Sequence, residues 1–409
     1  ELQSLNPGEE VTDQVINTYI KIINNKSSRI FVAPISMMEL IMTPGGDNLA
    51  ATMYPPNLTR LIACTPENIT KFIEKFGPII QKYHPCLIFA ADETMLQPNT
   101  NRKLLLPNGG NQPLTADISD FTHITATCCN NVVGNKLPLF IIVPKLLNLP
   151  QELKEFAEKG QAYFASSNNG WQTRDTFLMF TICFINWLSI FRKTLDKSIR
   201  DHPAILIVDG HKSRENPISL KLLQANNVSL FVLPAHTSHL TQIFDVGIAA
   251  PMKSVFSETF KKFLKDLDPS KNVSSQIRKF AVQSAIIAWD LKCNVKSCQT
   301  AARLTSTYPF APEILLNSRF VAPLTPQLEE IHQAREKRHR KETININCEL
   351  ITENEIINLI DACISKSKMH QHLALEHYNG NYPDLINLIQ NRKKNDCAML
   401  SQFPDFFEK

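Results

Sequence analysis

Short apolar runs and longer stretches with helical spacing alternate through the middle of the chain. Five runs of 5 to 7 residues are bounded by polar residues or proline, at 87–91, 122–128, 137–143, 204–208 and 228–233. That length and context are typical of buried strands. Between or after these runs, apolar residues recur on one face of a helix, as at Phe177, Phe180 and Phe184. The pattern predicts an α/β domain in which helices cover a sheet.

Changes in this pattern divide the chain into four regions. Residues 1–59 form an N-terminal segment of mixed helix and loop, and residues 60–265 form the α/β domain. The helix-start pattern Thr65-Pro66-Glu67 lies near the beginning of that domain. Residues 266–330 are predicted to be a helical extension, and residues 331–409 a basic linker with a partly helical tail.

The composition permits a packed core and excludes several classes of protein. Of the 409 residues, 43% are hydrophobic and 20% are charged, unlike a disordered or collagen-like chain. The longest apolar stretch, 177–191, holds 15 residues. A membrane span needs roughly 20, so this stretch predicts a core helix and no membrane partner. The ten cysteines are scattered without a Cys-x-x-Cys pair, which favours a reducing compartment over a disulfide framework.

The charge balance is mildly basic. Lys plus Arg number 43 and Asp plus Glu 39, giving a formal net charge of +4, which is compatible with nucleic-acid binding but does not establish it. One strongly basic run consists of Arg335, Lys337, Arg338, Arg340 and Lys341. Such a run is more often a solvated helix face or linker. The alternative is a segment that follows DNA phosphates or directs nuclear import.

Three aspartates stand at the ends of predicted elements. Asp92 and Asp209 directly follow the first and fourth apolar runs, and Asp245 precedes the helix that carries Lys253. A carboxylate at the end of a buried strand must be solvated, paired or bound to metal, because a bare buried charge costs several kcal/mol. Taken singly, each aspartate is as typical of a turn or a helix cap. Taken together, they predict a carboxylate cluster.

Such a cluster has a definite chemistry. Mutual repulsion raises the pKa values of its carboxyls unless a divalent cation neutralises them, and hard oxygen ligands suit Mg²⁺ or Mn²⁺. Two such ions can hold the attacking and leaving oxygens of a phosphodiester during in-line displacement. We therefore predict that Asp92, Asp209 and Asp245 are both metal ligands and catalytic residues, and that no small-molecule cofactor is needed.

Several ordered motifs carry a resemblance to a known family. The segment Ile207-Val208-Asp209-Gly210-His211-Lys212-Ser213 resembles the second catalytic block of the pogo/Tigger/jerky branch of DDE transposases. The segment from Leu233 to Gly247, followed by Pro251-Met252-Lys253, resembles the third block. The first block is similar to Phe89-Ala90-Ala91-Asp92-Glu93-Thr94. The resemblance covers about residues 60–265.

This resemblance implies an RNase H-like mixed sheet flanked by helices. Asp92 would lie on the first strand, Asp209 at the end of the fourth, and Asp245 at the last catalytic helix. The implied chemistry is Mg²⁺-dependent DNA cleavage by water, followed by attack of the freed 3′-hydroxyl on target DNA. The expected partners are transposon ends and target DNA, in a homodimer or higher assembly located in the nucleus. A plain nuclease without strand transfer would share the same site.

The motifs depart from the family pattern at three places. After the second aspartate the family has Ser-His, where this chain has Ser213-Arg214, and before the third it has Gln-Pro-Leu, where this chain has Gln242-Ile243-Phe244. Met95-Leu96 replace the glycine and aromatic residue that the family prefers after the first block. No metal ligand is lost. The departures leave open a second reading, a domesticated, non-catalytic DNA-binding or scaffold protein derived from such a transposase.

Polar residues beside the aspartates are candidates for contacting DNA. They are Lys212, Arg214, His236, His239 and Lys253, together with the basic run at 335–341. The two histidines also permit a zinc site, but a lone His-x-x-His without cysteines at zinc-finger spacing is weak evidence. Glu93 is predicted not to be a primary ligand, because adjacent residues of a strand point to opposite faces.

The N-terminal segment contains no basic recognition helix of the kind that reads transposon ends. Instead, Leu5-Asn6-Pro7 and residues 13–19 resemble the opening helix of SUMO-specific cysteine proteases. No catalytic His-Asp-Cys set accompanies them, so no protease activity is expected. Because the chain begins at Glu1 without a methionine, we expect a fragment or a processed chain from a chimeric or truncated gene.

Overall fold

A computed structural model describes residues 58–97, 123–324, 326, 349–351 and 397–399. The predictions for the N-terminal segment, apart from its last two residues, lie outside the described residues. So do those for the basic run at 335–341.

One mixed sheet runs through the domain. Its strands are β1 (Ile88–Leu96), β2 (Ile124–Asn131), β3 (Leu139–Pro144), β4 (Ala162–Ser167), β5 (Ala204–Val208), β6 (Val228–Val232), β7 (Glu349–Leu350) and β8 (Cys397–Met399). Their order across the sheet is β7-β6-β5-β1-β2-β3-β4-β8. The two short strands from the C-terminal region therefore occupy the two edges.

The central part of the sheet has RNase H-like topology. Strands β1, β2 and β3 pair antiparallel in sequence, and β5 and β6 continue on the other side of β1, parallel to it. The spatial order β3-β2-β1-β5-β6 places the first strand between an antiparallel half and a parallel half. This confirms the predicted fold class, a mixed sheet flanked by helices.

Helices cover both faces of the sheet. They are α1 (Leu58–Ala63), α2 (Pro66–Ile80), α3 (Gln151–Glu158), α4 (Arg174–Lys193), α5 (Lys197–Arg200), α6 (Pro217–Ala225), α7 (Ser238–Thr241), α8 (Ile243–Gly247), α9 (Ala249–Phe263), α10 (Val273–Lys292), α11 (Val295–Leu304) and α12 (Pro312–Leu316). Alternation along β1 divides the core in two. Ile88 and Ala90 face a cluster that includes Phe72 of α2 and Phe256 of α9, while Phe89 faces a cluster that includes helices α4 and α6.

Local sequence explains where several helices begin. The Thr65 hydroxyl accepts a hydrogen bond from the Asn68 amide at 3.3 Å, so Thr65 caps α2 with Pro66 at its first position, as the sequence predicts. Thr173 and Thr176 form a reciprocal capping box at the start of α4. Asn216 caps α6, which explains why that helix begins at Pro217.

Helix α4 is long and apolar enough to cross a membrane by length and composition, and 72% of its most apolar window is buried inside the protein. Its buried face packs against β1 and β3, through Phe184 on Phe89 and Phe180 on Phe140. This agrees with the core helix expected from the sequence.

Two predictions about the strands were wrong in detail. Strand β4 was missed, because Ala162-Tyr163-Phe164-Ala165-Ser166-Ser167 is short and rich in small residues of low strand propensity. Asp209 therefore follows the fifth strand of the chain and not the fourth. Asp92 also does not end its strand. Strand β1 continues to Leu96 because β2 pairs with it along that whole length.

A close helix contact gives a stability prediction. A Cβ added at Gly247 in α8 would lie 2.5 Å from the Cβ of Ala301 in α11. We expect Gly247→Ala to lower the free energy of unfolding by about 1–3 kcal/mol through overpacking, measured by chemical denaturation. At Gly210 an added Cβ meets nothing closer than 3.8 Å, so Gly210→Ala is the control and should change stability little. Equal losses in the two variants would contradict the close packing of α8 on α11.

Candidate active site

The register of the central strands brings two predicted residues to one face of the sheet. In the parallel pair β1 and β5, Ala90 lies opposite Ile207, and both belong to the same core cluster. Asp92 and Asp209 each follow two residues later, so their side chains extend from the same face at the same level. The two carboxylates are thus neighbours although 117 positions separate them.

A third carboxylate joins them. Ligand oxygens of Asp92, Glu93 and Asp209 all lie within 4.8 Å of one another, and in the described parts of the chain no other set of three or more acidic, histidine or cysteine side chains is arranged in this way. The expectation that Glu93 points away from the cluster was wrong. Although Glu93 follows Asp92 in the strand, one of its carboxylate oxygens lies within 4.8 Å of oxygens of both Asp92 and Asp209, and Arg214 bonds to both Glu93 and Asp209.

Arg214 lies against this group. Its guanidinium donates two hydrogen bonds of 2.6 Å to the Glu93 carboxylate and one of 2.9 Å to Oδ1 of Asp209. It also stacks on the Phe177 ring, 4.8 Å from the centroid. Burial alone would lower the pKa of Arg214, but the charges of Glu93 and Asp209 raise it above its usual value. The arginine is therefore always charged and neutralises part of the cluster.

The placement of Arg214 corrects its predicted role. The side chain is only 3% exposed and its charge is already used by two carboxylates. A DNA phosphate could reach the guanidinium only by breaking this buried network, so a DNA contact does not fit the structure. A departure from the family motif was visible in the sequence at this position, but its partner Glu93 is 121 residues away.

Asp92 has the most perturbed electrostatics of the group. It is 7% exposed, and its pKa is raised well above the usual value, first by burial and then by the charges of Asp245, Glu93 and Asp209, against a smaller opposing effect of Arg214. Asp245 is exposed in α8 and lies outside the group of three ligand atoms, so its effect on Asp92 is that of a nearby negative charge.

Gln242 is a positioning residue that the sequence analysis did not identify. Its side-chain amide donates a 2.8 Å hydrogen bond to the carbonyl of Ala91, which joins the segment before α8 to the strand residue next to Asp92. The side chain is fully buried. The contact fixes how the helix that carries Asp245 approaches the carboxylates. Its only sequence signal was its place in the third family block.

The donor set fits a divalent cation. Four acidic residues influence this region and Arg214 is the buried counter-charge, so negative charge is left uncompensated. Holding three carboxylates this close together, one of them buried, is unfavourable unless a cation is bound. Carboxylate oxygens are the ligands that Mg²⁺ and Mn²⁺ prefer, and Asp92, Glu93 and Asp209 present them at ligand spacing.

The remaining predicted residues differ in their surroundings. Lys212 and His236 are exposed. Lys253, in α9, is also exposed.

His239 is part of the packing between α7 and its neighbours. Its ring meets the Phe320 ring edge-on at 5.2 Å, and its Nε2 is 3.6 Å from the Cys64 sulfur. Burial lowers its pKa. Within the described ranges neither His236 nor His239 belongs to a group that could hold a metal, so the geometry does not support the zinc alternative.

Comparison with known proteins adds a family match. Residues 122–301 match the family model described as "DDE superfamily endonuclease". This range contains Asp209 and Asp245 and begins after Asp92. Among curated proteins, 100 residues are 32% identical to the MFS-type transporter clz9 of Cochliobolus lunatus, covering 24% of this chain and 10% of that protein. The chain thus spans about a tenth of the length of the relative that it matches.

Solved structures give a weaker similarity. The chain is similar to the Mos1 mariner paired-end complex with Mn at 13% identity and a TM-score of 0.35, over 72% of this chain and 80% of that chain. It is similar to the catalytic domain of Mos1 mariner transposase at 14% identity and a TM-score of 0.28, over 57% and 92% of the two chains. The strand order and directions of the sheet itself define its RNase H-like topology.

Proposed function

We propose that the protein cleaves DNA phosphodiesters with the help of bound Mg²⁺ or Mn²⁺. The match of residues 122–301 to the DDE superfamily endonuclease model supports this proposal. The observation that supports this most directly is the cluster of Asp92, Glu93 and Asp209. It forms on the central strands of an RNase H-like sheet and keeps more negative charge than its buried arginine neutralises.

The residues of the chain have separate roles in this proposal. Asp92 and Asp209 hold the cations from one face of the sheet, and Glu93 adds a carboxylate that Arg214 fixes in place. Asp245 adds negative charge from α8, in a position that Gln242 helps to set. The bound cations would activate the attacking water and neutralise the charge that develops on the phosphate.

Transposition is the finer form of this proposal. The freed 3′-hydroxyl would attack target DNA at the same site, with transposon ends and target DNA as partners, in a homodimer or higher assembly located in the nucleus. Lys253 is exposed on α9, and we propose that it contacts a DNA phosphate. A strand-transfer assay separates a transposase from a plain nuclease.

One observation favours a second candidate function, a non-catalytic DNA-binding or scaffold protein. Arg214 pairs with Glu93 and with Asp209, so it already satisfies part of the charge that a cation would neutralise. In a domesticated protein this ion pair could stabilise the fold without metal. Titration with Mg²⁺ and Mn²⁺ distinguishes the two functions, because retained carboxylates that bind no divalent ion favour the scaffold.

The test of the proposed function is cation-dependent nicking of supercoiled plasmid DNA. We expect the wild-type chain to nick DNA with Mg²⁺ or Mn²⁺ and not with a chelator. Asp209→Asn should lower the rate at least about 100-fold, because loss of a ligand weakens charge stabilisation in the transition state by roughly 3 kcal/mol or more. Asp266→Asn, at an exposed turn after α9, is the matched control and should keep the wild-type rate. Equal rates for wild type and Asp209→Asn would overturn the proposal.

A further inference from the structure

Two buried cysteines meet at the corner between α10 and α11. Cys293 caps the end of α10, Cys298 lies in α11, and their sulfurs are 3.6 Å apart. Both side chains are at most 1% exposed. Of the seven cysteines whose side chains the structure describes, these two form the pair whose sulfurs are in contact across a helix junction.

The surroundings of the pair favour reaction at Cys298. Its sulfur accepts a hydrogen bond from the Asn130 side-chain amide at 3.4 Å. The hydrogen bond from Cys293 lowers the pKa of Cys298, and the charge of Lys136 acts in the same direction, against the effect of burial. The thiolate is the reactive form of cysteine, and the Asn130 amide donates a hydrogen bond that stabilises it on Cys298, so we assign Cys298 as the nucleophile and Cys293 as the resolving thiol.

The corner is mechanically connected to the proposed active site. Helix α11 packs along α8, which carries Asp245, and the contact of Gly247 with Ala301 leaves no space between the two helices. Asn130 lies in β2, two residues from the partner of Asp92 in the strand pair. A movement of the first turn of α11 therefore reaches both elements that surround Asp92.

We infer that Cys293 and Cys298 form a redox modification site, at which a small hydroperoxide such as hydrogen peroxide closes a disulfide that displaces α11 and, with it, the helix of Asp245. A disulfide needs a sulfur–sulfur distance of about 2.05 Å, so the two sulfurs must approach by roughly 1.5 Å. The effect on DNA cleavage rests on the proposed function, whereas formation of the disulfide does not.

The chemistry balances with peroxide as the oxidant. The Cys298 thiolate attacks one peroxide oxygen, the O–O bond breaks, and the leaving hydroxide takes a proton to become water, which leaves a sulfenic acid on Cys298. The Cys293 sulfur then attacks the Cys298 sulfur. The S–S bond forms, the S–O bond breaks, and a second water leaves with the Cys293 proton. Two thiols and one peroxide thus give one disulfide and two waters.

Peptide mapping tests the modification without any assay of activity. The full chain is treated with hydrogen peroxide, alkylated and digested with trypsin, which cuts after Lys292, Lys296 and Arg303. We expect a linked pair of peptides, 293–296 with 297–303, lighter by two hydrogen atoms than the two reduced peptides together, and lost on treatment with dithiothreitol. Cys183, buried in α4, is the control thiol and should stay available for alkylation after unfolding. Absence of the linked pair would overturn the inference.

Hydrogen exchange tests the displacement. In the oxidised protein we expect the amides of 243–247 to exchange at least threefold faster, with recovery after reduction, and no change in a Cys293→Ala variant treated in the same way. A linked peptide with unchanged exchange in α8 would contradict the connection to the site.

A nicking assay then tests whether the disulfide affects the proposed DNA cleavage. Oxidation should lower cation-dependent nicking at least tenfold in wild type and not in Cys293→Ala, whose untreated activity should equal that of wild type. If the reduced protein nicks no DNA, the proposed function fails, while the peptide and exchange measurements still decide the redox site.

Discussion

Replacing Asp92 with asparagine is expected to slow cation-dependent nicking strongly and, at the same time, to raise the melting temperature of the metal-free protein. Loss of the ligand should lower the nicking rate about 10³-fold, which corresponds to roughly 4 kcal/mol of transition-state stabilisation. Without metal, the same change removes a buried carboxyl that is repelled by Asp245, Glu93 and Asp209. We expect a stabilisation of about 1–3 kcal/mol from relieving that burial, measured by thermal unfolding in chelator.

The pH dependence of this stabilisation has a definite sign. Because the pKa of Asp92 is raised in the folded protein, its neutral form favours folding. That contribution is complete below the unfolded pKa of about 3.9 and is lost as the pH rises through the raised folded pKa. The difference in melting temperature between Asp92→Asn and wild type should therefore widen as the pH rises, and added Mg²⁺ should narrow it. A difference that does not vary with pH would contradict the buried, repelled state of Asp92.

Replacing Arg214 with methionine is expected to destabilise the metal-free protein strongly. The guanidinium is buried and bonded to Glu93 and Asp209, and breaking a buried ion pair from one side costs about 3–5 kcal/mol. The freed carboxylates should then gain more from a cation, so we expect the rise in melting temperature with Mg²⁺ to be larger in Arg214→Met than in wild type. Thermal unfolding across a Mg²⁺ series measures both effects.

Two further variants serve as controls for the thermal unfolding of Arg214→Met. Arg174 forms a 2.8 Å ion pair with Glu215 at the surface, so Arg174→Met should cost at most about 1 kcal/mol. Glu93→Gln in the Arg214→Met background removes one of the unpaired charges and should recover part of the loss. If Arg214→Met melts like wild type, the ion pair contributes nothing to stability and the scaffold function loses its supporting observation.

The sequence predicted the sheet better than the site. The five apolar runs correctly predicted β1, β2, β3, β5 and β6, which form the RNase H-like centre. Strands that are buried on both faces have short, continuous apolar sequences. The runs missed β4, whose alanines and serines carry no such signal. They also ended the first strand at Asp92, since a polar residue inside a strand is read as its end, whereas pairing with β2 extends the strand to Leu96.

The chemistry of the site depended on contacts that are distant in the chain. The sequence predicted a cluster of Asp92, Asp209 and Asp245, and the structure brings the first two together with Glu93, leaving Asp245 outside that group of ligand atoms. The ion pair of Arg214 could not be predicted, because Arg214 lies in the turn after β5 and its partner Glu93 lies 121 residues earlier, in β1. The sequence showed that the arginine was unusual for the family, but only the structure shows which carboxylates it neutralises.

The short strands β7 and β8 have a consequence for handling the protein. They pair with β6 and β4 at opposite margins of the sheet, so residues from the last fifth of the chain satisfy backbone groups that would otherwise be free to bind another molecule. Unprotected margins of this kind promote aggregation by intermolecular strand pairing. A version shortened to the region before residue 349 would leave both margins open, and poor solubility of such a version would reflect this loss and not a defect in the catalytic core.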